Sequence, residues 1–201
     1  RTLGADLTLE ALRTDHDAVF LGIGLGAVNA LGLEGDDAAA DAVDFIAALR
    51  QADAMAEVPV GRNVVVIGGG MTAVDAAVQA RLLGAGNVTL AYRRGRDRMG
   101  ASGFEQDLAA TRGVRILTNV MPVAMAEGAV TLEYTAEVDG RLQGTGERLE
   151  LAADQVLRAI GQTLVPVAGI ETRGGKLAIT GAGRTGVAGV WAGGDCTPGE
   201  D

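Results

Sequence analysis

The sequence predicts an α/β protein whose parallel sheet is flanked by helices and accompanied by an antiparallel β-meander. Three observations support this fold class. Residues 63–67 (NVVVI) end in four consecutive apolar residues, as in a strand that is buried on both faces of a parallel sheet. An alanine-rich, helix-forming stretch and a second β-branched run follow at residues 71–83 and 87–92. From Ala129 onward apolar and polar residues alternate, which is typical of antiparallel strands with one solvated face.

The first predicted strand spans residues 18–21 (AVFL), an apolar run with charged residues before it and a glycine after it. Gly22, Gly24 and Gly26 follow at once, but no clear helical pattern comes after them. A phosphate-binding glycine loop normally leads into the N-terminus of a helix. We therefore predict a glycine-rich crossover between domains at residues 22–26 rather than a complete dinucleotide site.

A helix is predicted at residues 41–51 (DAVDFIAALRQ), where apolar residues recur at helical spacing. Asp41 and Asp44 lie in its first turn and Arg50 lies in its last, an arrangement that the helix dipole favours. A proline and a glycine then interrupt the chain, so we predict a domain boundary at residues 52–60.

Residues 63–92 predict a right-handed βαβ unit, the building block of a Rossmann-like fold. The strand at residues 63–67 runs directly into three glycines, and the helix at residues 71–83 ends at Gly84. The strand at residues 87–92 (NVTLAY) is expected to lie parallel to the first, because a helical crossover returns the chain to the same end of the sheet.

The remaining elements extend this sheet and add the meander. A second helix is predicted at residues 103–112 and a third strand at residues 114–116. The alternating segment that begins at Ala129 contains an Asp-Gly turn signal and continues to GERLEL, as in a β-hairpin. A further strand is predicted at residues 154–160 (DQVLRAI), before short strands and glycine-rich turns complete the sequence.

The segment Gly68-x-Gly70-x-x-Ala73 lies between a predicted strand and a predicted helix, as a dinucleotide-binding fingerprint requires. Gly68 permits the tight turn, Gly70 lets the main chain approach a pyrophosphate, and Ala73 lets the helix pack closely on the sheet. Free N–H groups in the first helical turn then donate to phosphate oxygens. The predicted coenzyme-binding residues of this turn are Gly68, Gly69, Gly70, Met71, Thr72 and Ala73. The alternative is an ordinary strand-to-helix turn in a chain rich in glycine and alanine.

The end of the second strand of a Rossmann unit distinguishes between the two nicotinamide coenzymes. A carboxylate there binds the ribose 2′-hydroxyl of NAD(H), whereas arginine accommodates the 2′-phosphate of NADP(H). This strand ends in Tyr92-Arg93-Arg94, which contains no carboxylate, and Arg98 follows in the next loop. Arginine presents a planar fork of donors that matches phosphate. We therefore predict that NADP(H) is preferred over NAD(H), with a solvated basic loop as the alternative.

Composition and charge argue against several other functions. The net charge of −9 opposes a nucleic-acid partner. Cys196 is the only cysteine and His16 the only histidine, so this sequence contains no CxxC pair and no multi-cysteine metal site. Because we find no long apolar run and no signal-peptide pattern, we expect no membrane association and a cytoplasmic location. The sequence begins with Arg1 rather than Met, so we expect a fragment of a longer chain.

The whole pattern resembles the pyridine-nucleotide half of flavoproteins built like the glutamate synthase small subunit. This family includes the NAD(P)H-oxidising subunit of bacterial dihydropyrimidine dehydrogenase. The order of motifs carries the resemblance, namely DAVFLGIG, GRNVVVIGGGMTAVDAA, GAGNVTLAYRR, AIGQ and finally GVWAGGDC. The segment RMGASGFEQDLA at residues 98–109 is more similar to the dihydropyrimidine-dehydrogenase branch than to the glutamate-synthase branch.

The resemblance implies that an NAD(P)H domain is inserted into a discontinuous FAD domain. With the boundaries predicted above, residues 52–165 form the inserted Rossmann domain, and residues 1–51 and 166–201 are segments of the FAD domain. The resemblance adds four residues to those expected to bind a cofactor: Gly161, Gln162, Gly194 and Asp195. The last two belong to AGGD, which is similar to the flavin-binding AxGD motif of two-dinucleotide flavoproteins.

The implied reaction is hydride transfer from NAD(P)H to FAD, followed by electron transfer to iron–sulfur centres. The implied partner is a reductase or synthase subunit, or an upstream domain. The first FAD fingerprint and the cysteine-rich segment of the family are not in this sequence, so we expect FAD and iron–sulfur clusters in the full-length parent. The cofactors carry this chemistry, so we assign no catalytic residue and no metal ligand.

Two alternatives remain open. One is a non-catalytic module that senses NADP(H). The other is a disulfide reductase of the thioredoxin-reductase type, which needs a CxxC that this sequence does not supply. Cys196 beside the AGGD motif is interpreted as a small buried residue rather than a redox thiol, because it has no partner cysteine.

Overall fold

The computed structural model describes residues 1–199. These residues form two compact units, one of residues 30–160 and one that joins residues 1–29 to the segment beginning at Gly161. No helix in the described part of the chain is long and apolar enough to cross a membrane.

The α-helices lie between Leu9 and Thr111, with strands between them, and strands predominate after them. In chain order they are α1 (Leu9–Asp15), β1 (Val19–Leu21), β2 (Ala27–Val28), β3 (Ala40–Asp41), α2 (Ala42–Gln51), β4 (Asn63–Gly68), α3 (Met71–Leu82), β5 (Asn87–Tyr92), α4 (Gly103–Thr111), β6 (Val114–Thr118), β7 (Val120–Ala126), β8 (Ala129–Val138), β9 (Arg141–Ala152), β10 (Gln155–Ala159), β11 (Gln162–Thr163), β12 (Thr172–Arg173), β13 (Lys176–Leu177) and β14 (Val190–Ala192).

The unit of residues 30–160 is built on a five-stranded parallel sheet in the order β3-β10-β4-β5-β6. α2, α3 and α4 pack on one face of this sheet, where their apolar residues share a core with Val64, Val66, Leu90 and Leu157. The carboxyl ends of β4, β5 and β10 therefore lie side by side, and this edge is where α/β sheets place their ligands.

The antiparallel meander β7-β8-β9 covers the other face of the same sheet. Val65 and Ile67 of β4 point to this side and pack with Val130 and Leu132 of β8. Successive side chains of a strand point to opposite faces, so the continuous apolar run in β4 is explained by burial on both sides.

α3 packs on the sheet through small residues. Ala73, Ala76, Ala77 and Ala80 are each 0% exposed. Alanine also has the highest intrinsic helix propensity, so the same residues favour the helix and its close approach to the strands.

The unit formed by the two ends of the chain contains three two-stranded pairs: parallel β1-β14, antiparallel β2-β11 and antiparallel β12-β13. Its core includes Val19, Leu21, Leu177, Val190 and Cys196. The segment at residues 22–26 leads into β2, which was not predicted. No α-helix directly follows the segment, in agreement with the lack of a helical pattern there.

The structure confirms the predicted fold class and the parallel order of the βαβ unit, with small changes in the bounds. The third strand extends to Thr118, beyond the predicted residue 116. Several described elements were not predicted from the sequence. They are α1, which has no buried residue, β7, which contains Pro122 beside an irregularity in its pairing, and the two-residue strands β2, β3 and β11.

The division of the chain differs from the predicted boundaries at residues 51/52 and 165/166. α2 lies in the same compact unit as the parallel sheet, because Phe45, Ile46 and Leu49 are buried in the core that α3 shares. The observed divisions therefore follow residues 29 and 160.

Candidate functional site

Three consecutive glycines join β4 to α3, and the structure gives each one a different environment. Gly68 has a φ of +153°, and a β-carbon there would lie within 3.0 Å of the Ala159 carbonyl oxygen. A β-carbon on Gly69 would lie within 3.0 Å of three ring atoms of Tyr92. At Gly70 a β-carbon would have no neighbour within 4 Å. Packing thus requires the first two glycines, whereas the third leaves the main chain open to an approaching group.

The N-terminus of α3 is prepared for an anion. Gly70 is the N-cap and supplies no side-chain cap, and the first turn of the helix contains no acidic residue. The amide groups of Ala73 and Val74 donate to the Gly70 carbonyl oxygen at 3.1 and 3.2 Å. Within residues 1–199, no acceptor pairs with the amide N–H of Met71 or Thr72. Free amides at the positive end of a helix dipole bind phosphate groups.

Tyr92 attaches the next loop to this glycine turn. Its ring lies against Gly69, and its hydroxyl donates to the Arg98 carbonyl oxygen at 2.6 Å. The Ala101 amide donates in turn to the Gly69 carbonyl oxygen at 3.1 Å. The loop of residues 93–101 is therefore held against the glycine turn.

The four arginines of this loop have different environments. Arg93 and Arg94 are exposed, and their side chains have no hydrogen-bond or ion-pair partner in the part of the chain that the structure describes. Arg98 is exposed beside its neighbour Asp97 at 3.8 Å. Arg96 is held by α4, where it donates to the Gln106 and Asp107 side chains. Arg93 and Arg94 are thus free to bind a ligand, and Arg96 fixes the loop.

α4 begins with a capping box that fixes the far end of the loop. Ser102 accepts a hydrogen bond from the Glu105 amide, and the Glu105 carboxylate accepts one from the Ser102 amide at 2.7 Å. Hydrogen bonds from the Ser102 hydroxyl and amide lower the pKa of Glu105. The S-x-x-E pattern marks a helix start, and it is the sequence signal that could have predicted this cap.

The predicted residues Gly161 and Gln162 lie in the other unit. The Gly161 carbonyl oxygen accepts hydrogen bonds from the Asn29 amide at 3.1 Å and from its side chain at 3.3 Å. The Gln162 side chain donates to the Leu25 carbonyl oxygen at 2.9 Å. These contacts join the segment at residues 25–29 to the segment that begins at Gly161.

Gly194 and Asp195 also lie in that unit, directly after β14. Both are exposed, Gly194 has a φ of +78°, and Lys176 donates to the Asp195 carbonyl oxygen. The neighbouring Cys196 is fully buried, and its thiol donates to the carbonyl oxygens of Gly193 and Leu21. This environment is that of a small core residue, in agreement with the interpretation from sequence.

The structure thus brings two groups of predicted residues together at one edge of the parallel sheet: the turn at residues 68–73 and the loop that carries Arg93, Arg94 and Arg98. The four remaining predicted residues belong to the second unit. No group of three or more histidine, cysteine or acidic side chains suited to a metal ion is found among residues 1–199.

A glycine turn, a helix N-terminus with free amides and a parallel sheet together define a dinucleotide-binding protein of the α/β class. The chain belongs to the pyridine nucleotide-disulphide oxidoreductase family, whose profile matches residues 5–200. This match confirms the oxidoreductase class that the sequence motifs indicated.

Curated relatives and solved structures support the same class. The chain is 34% identical over 160 residues to the NAD-dependent dihydropyrimidine dehydrogenase subunit PreT of Escherichia coli K12, covering 80% of this chain and 36% of that protein. It is 34% identical over 178 residues to the NADPH-Fe(3+) oxidoreductase subunit beta of Geobacter sulfurreducens, covering 80% and 26%. The chain therefore spans only about a quarter to a third of the length of these two relatives.

Among solved structures, FprA from Mycobacterium tuberculosis in complex with NADPH superimposes with a TM-score of 0.76 at 21% identity, covering 98% of this chain and 61% of that one. Thioredoxin reductase from T. acidophilum gives a TM-score of 0.67 at 19% identity, covering 91% and 58%. These similarities show that the fold is shared.

Proposed function

We propose that this chain is the NADP(H)-binding part of a flavoprotein oxidoreductase that passes hydride from NADPH to FAD, and electrons onward to iron–sulfur centres or a partner subunit. The observation that carries the proposal is the open glycine turn at Gly70, beside two exposed arginines whose side chains have no partner among residues 1–199. The unit of residues 30–160 is then the coenzyme domain, and the other unit is part of the FAD domain.

The residues of the turn fit a dinucleotide. The space where a β-carbon of Gly70 would lie is open, which allows a pyrophosphate to approach the main chain on that side. The amides of Met71 and Thr72 supply donors for its oxygens. Ala73, which is fully buried, keeps the helix close to the sheet so that these amides lie at its edge. When bound, the coenzyme supplies the hydride for the flavin.

The preference for NADP(H) rests on Arg93 and Arg94. Both follow the end of β5, where the ribose of the adenosine half is bound in Rossmann units, and no carboxylate occupies this position. An arginine pair there favours a 2′-phosphate over a 2′-hydroxyl. The names of the relatives do not decide between the coenzymes, because PreT is named for NAD and the Geobacter subunit for NADPH. The proposed preference therefore rests on the two arginines.

The second unit supplies the flavin side of the proposal. Gly194 and Asp195 form an exposed turn after β14, and a β-carbon at Gly194 would have no neighbour within 4 Å. A flavin ribityl or pyrophosphate group would meet the main chain there, as the AxGD likeness implies, and Gly161 and Gln162 would border the same cofactors. Iron–sulfur centres and the electron-accepting partner would lie outside this sequence, and we place the reaction in the cytoplasm.

A disulfide reductase is less well supported than this electron-transfer role. The sequence contains one cysteine, and it is buried with its thiol bound to two main-chain carbonyl groups. The remaining alternative, a sensor without turnover, is distinguished by activity. Oxidation of NADPH by the intact protein with an artificial electron acceptor supports the proposal, and coenzyme binding without such turnover supports the sensor.

The coenzyme assignment is tested by titrating the intact protein with NADPH and with NADH. We expect Arg93→Ala to weaken NADPH binding by about tenfold or more, because charged hydrogen bonds are lost, and to leave NADH binding nearly unchanged. Arg112→Ala is the matched control. This exposed arginine precedes β6, so it lies at the amino ends of the strands, whereas Arg93 lies at their carboxyl ends. Equal affinities for the two coenzymes in the unmodified protein, with no effect of Arg93→Ala, would contradict the assignment.

A further inference from the structure

The main chain of Arg93 and Arg94 is held by the meander. The Thr135 hydroxyl donates to the Arg93 carbonyl oxygen at 2.8 Å. The main-chain amide of Asn119 donates to the Arg94 carbonyl oxygen at 3.1 Å. The Thr135 amide donates to the Asn119 carbonyl oxygen at 2.8 Å. Two residues that are 16 positions apart in sequence therefore hold both carbonyl groups of the arginine pair and are bonded to each other.

Thr135 is placed for this contact by an irregularity in the meander. The pairing of β7 with β8 begins at Val120 and Tyr134, and the register of β8 with β9 shifts between Glu133 and Thr135. Thr135 is 7% exposed. A buried hydroxyl is costly unless it is hydrogen-bonded, so the bond to the Arg93 carbonyl oxygen fixes the side chain and the loop together.

Asn119 adds a conformational constraint to the same contact. Its φ of +56° lies in the left-handed region, which asparagine adopts more readily than most residues. The amide that binds the Arg94 carbonyl oxygen is therefore aimed by an unusual backbone conformation. With a negative φ at Asn119, its main-chain amide would point in a different direction relative to β7.

We infer that Thr135 is a positioning residue for coenzyme selectivity, with Asn119 as its support, and that it acts through the orientation of Arg93 and Arg94. The inference rests on the proposed function of these two arginines. The direction in which a side chain leaves the main chain is set by the peptide groups on either side of it. Holding both carbonyl groups limits where the guanidinium groups reach, and a pre-oriented pair loses less freedom when it binds a phosphate.

The inference is tested by replacing the hydroxyl of Thr135 in the intact protein and titrating with NADPH and with NADH. We expect Thr135→Val to weaken NADPH binding roughly fivefold, the effect of one net hydrogen bond, while NADH binding stays within about twofold. Thr135→Ser restores the donor and should restore NADPH affinity. Thr131→Val is the matched control, because it makes the same change on the same strand at a threonine outside this contact.

If Thr135 has only a structural role, Thr135→Val should weaken the binding of NADPH and NADH equally, and that result would overturn the inference. Unchanged NADPH binding in Thr135→Val would overturn it as well. If Thr135→Val does not fold, Thr135→Ala removes the same hydroxyl and leaves room for water at the Arg93 carbonyl group. Combining Thr135→Val with Arg93→Ala and Arg94→Ala should produce no further loss of NADPH binding, since the positioned groups are absent.

The failure of this inference is distinguishable from the failure of the proposed function. If Arg93→Ala selectively weakens NADPH binding and Thr135→Val does not, the arginine site stands and the positioning role is overturned. If Arg93→Ala has no effect on NADPH binding, both are overturned.

Discussion

The ring of Tyr92 lies so close to the main chain of Gly69 that a β-carbon at position 69 would lie within 3.0 Å of three ring atoms. The middle glycine of this turn is a free position in the usual dinucleotide fingerprint, G-x-G-x-x-G. In this chain the ring of Tyr92, at the end of the neighbouring strand, makes glycine obligatory at position 69. The packing of one aromatic ring thus links the turn at the proposed phosphate site to the loop that carries the arginines.

Gly69→Ala should destabilise the protein by about 1–3 kcal/mol, the usual cost of overpacking. The added methyl group must displace the Tyr92 ring, so the extra cost should fall below about 0.5 kcal/mol in a Tyr92→Ala background. Chemical denaturation of the four proteins in this cycle measures the coupling. An identical cost of Gly69→Ala in both backgrounds would show that the ring is not the obstacle.

Gly70→Ala should change stability by less than about 0.5 kcal/mol, because its β-carbon meets nothing and its φ of −91° suits any residue. The methyl group would occupy space that a pyrophosphate needs, so we expect NADPH and NADH binding to weaken together by about tenfold or more. Titration with both coenzymes separates this effect from that of Arg93→Ala, which should affect NADPH alone. Normal binding of both coenzymes would remove Gly70 from the site.

Arg96→Met should leave the ratio of NADPH to NADH affinity nearly unchanged, although Arg96 lies between residues that we assign to the phosphate. Its guanidinium group is bound to Gln106 at 2.8 Å and to Asp107 at 2.6 Å, and these contacts hold the loop to α4. The expected loss is in stability, about 1 kcal/mol after allowance for the exposure of the Asp107 pair. Thermal unfolding and coenzyme titration together measure both quantities. A loss of NADPH selectivity as large as that of Arg93→Ala would place Arg96 in the binding site.

The capping box of α4 should make stability depend on pH through Glu105. Hydrogen bonds from the Ser102 hydroxyl and amide lower the pKa of this carboxyl below its ordinary value of 4.5. A depressed pKa in the folded state adds stability above the ordinary pKa, and this contribution is lost as the pH falls through the folded-state pKa.

The comparison variant is Glu105→Gln, which keeps an acceptor for the cap and has no charge to titrate. The difference in unfolding free energy between the unmodified protein and Glu105→Gln should shrink as the pH falls from about 6 to about 3. Denaturation at several pH values measures it. A difference that does not depend on pH would mean that the charge of Glu105 does not contribute to the cap.

Much of the coenzyme edge was predictable because it depends on local patterns. The apolar run before the glycines, the alanine-rich helix and the β-branched strand that follows each indicate one element, and their order implies a parallel crossover. The roles of individual side chains depend on distant contacts. Arg93 and Arg96 cannot be distinguished along the sequence. Both are exposed, and only the packing of α4 gives the Arg96 side chain its partners, whereas the Arg93 side chain has none among residues 1–199.

Long-range contacts also explain what could not be predicted from the sequence. α2 has the pattern of an amphipathic helix that would suit either unit. Its place in the unit of residues 30–160 follows from the burial of Phe45, Ile46 and Leu49. Thr135 is one threonine in an alternating strand, and nothing nearby in sequence indicates its bond to a carbonyl group 42 residues away.

The alanine face of α3 has a consequence for the rigidity of the site. Ala73, Ala76, Ala77 and Ala80 have no side-chain rotamers, so these four residues add no alternative side-chain arrangements to the interface. The amides of Met71 and Thr72 then hold their positions without any repacking of the core beneath them. We therefore expect the phosphate end of the site to have the same geometry with and without coenzyme, and adjustment on binding to be confined to the exposed side chains of Arg93 and Arg94.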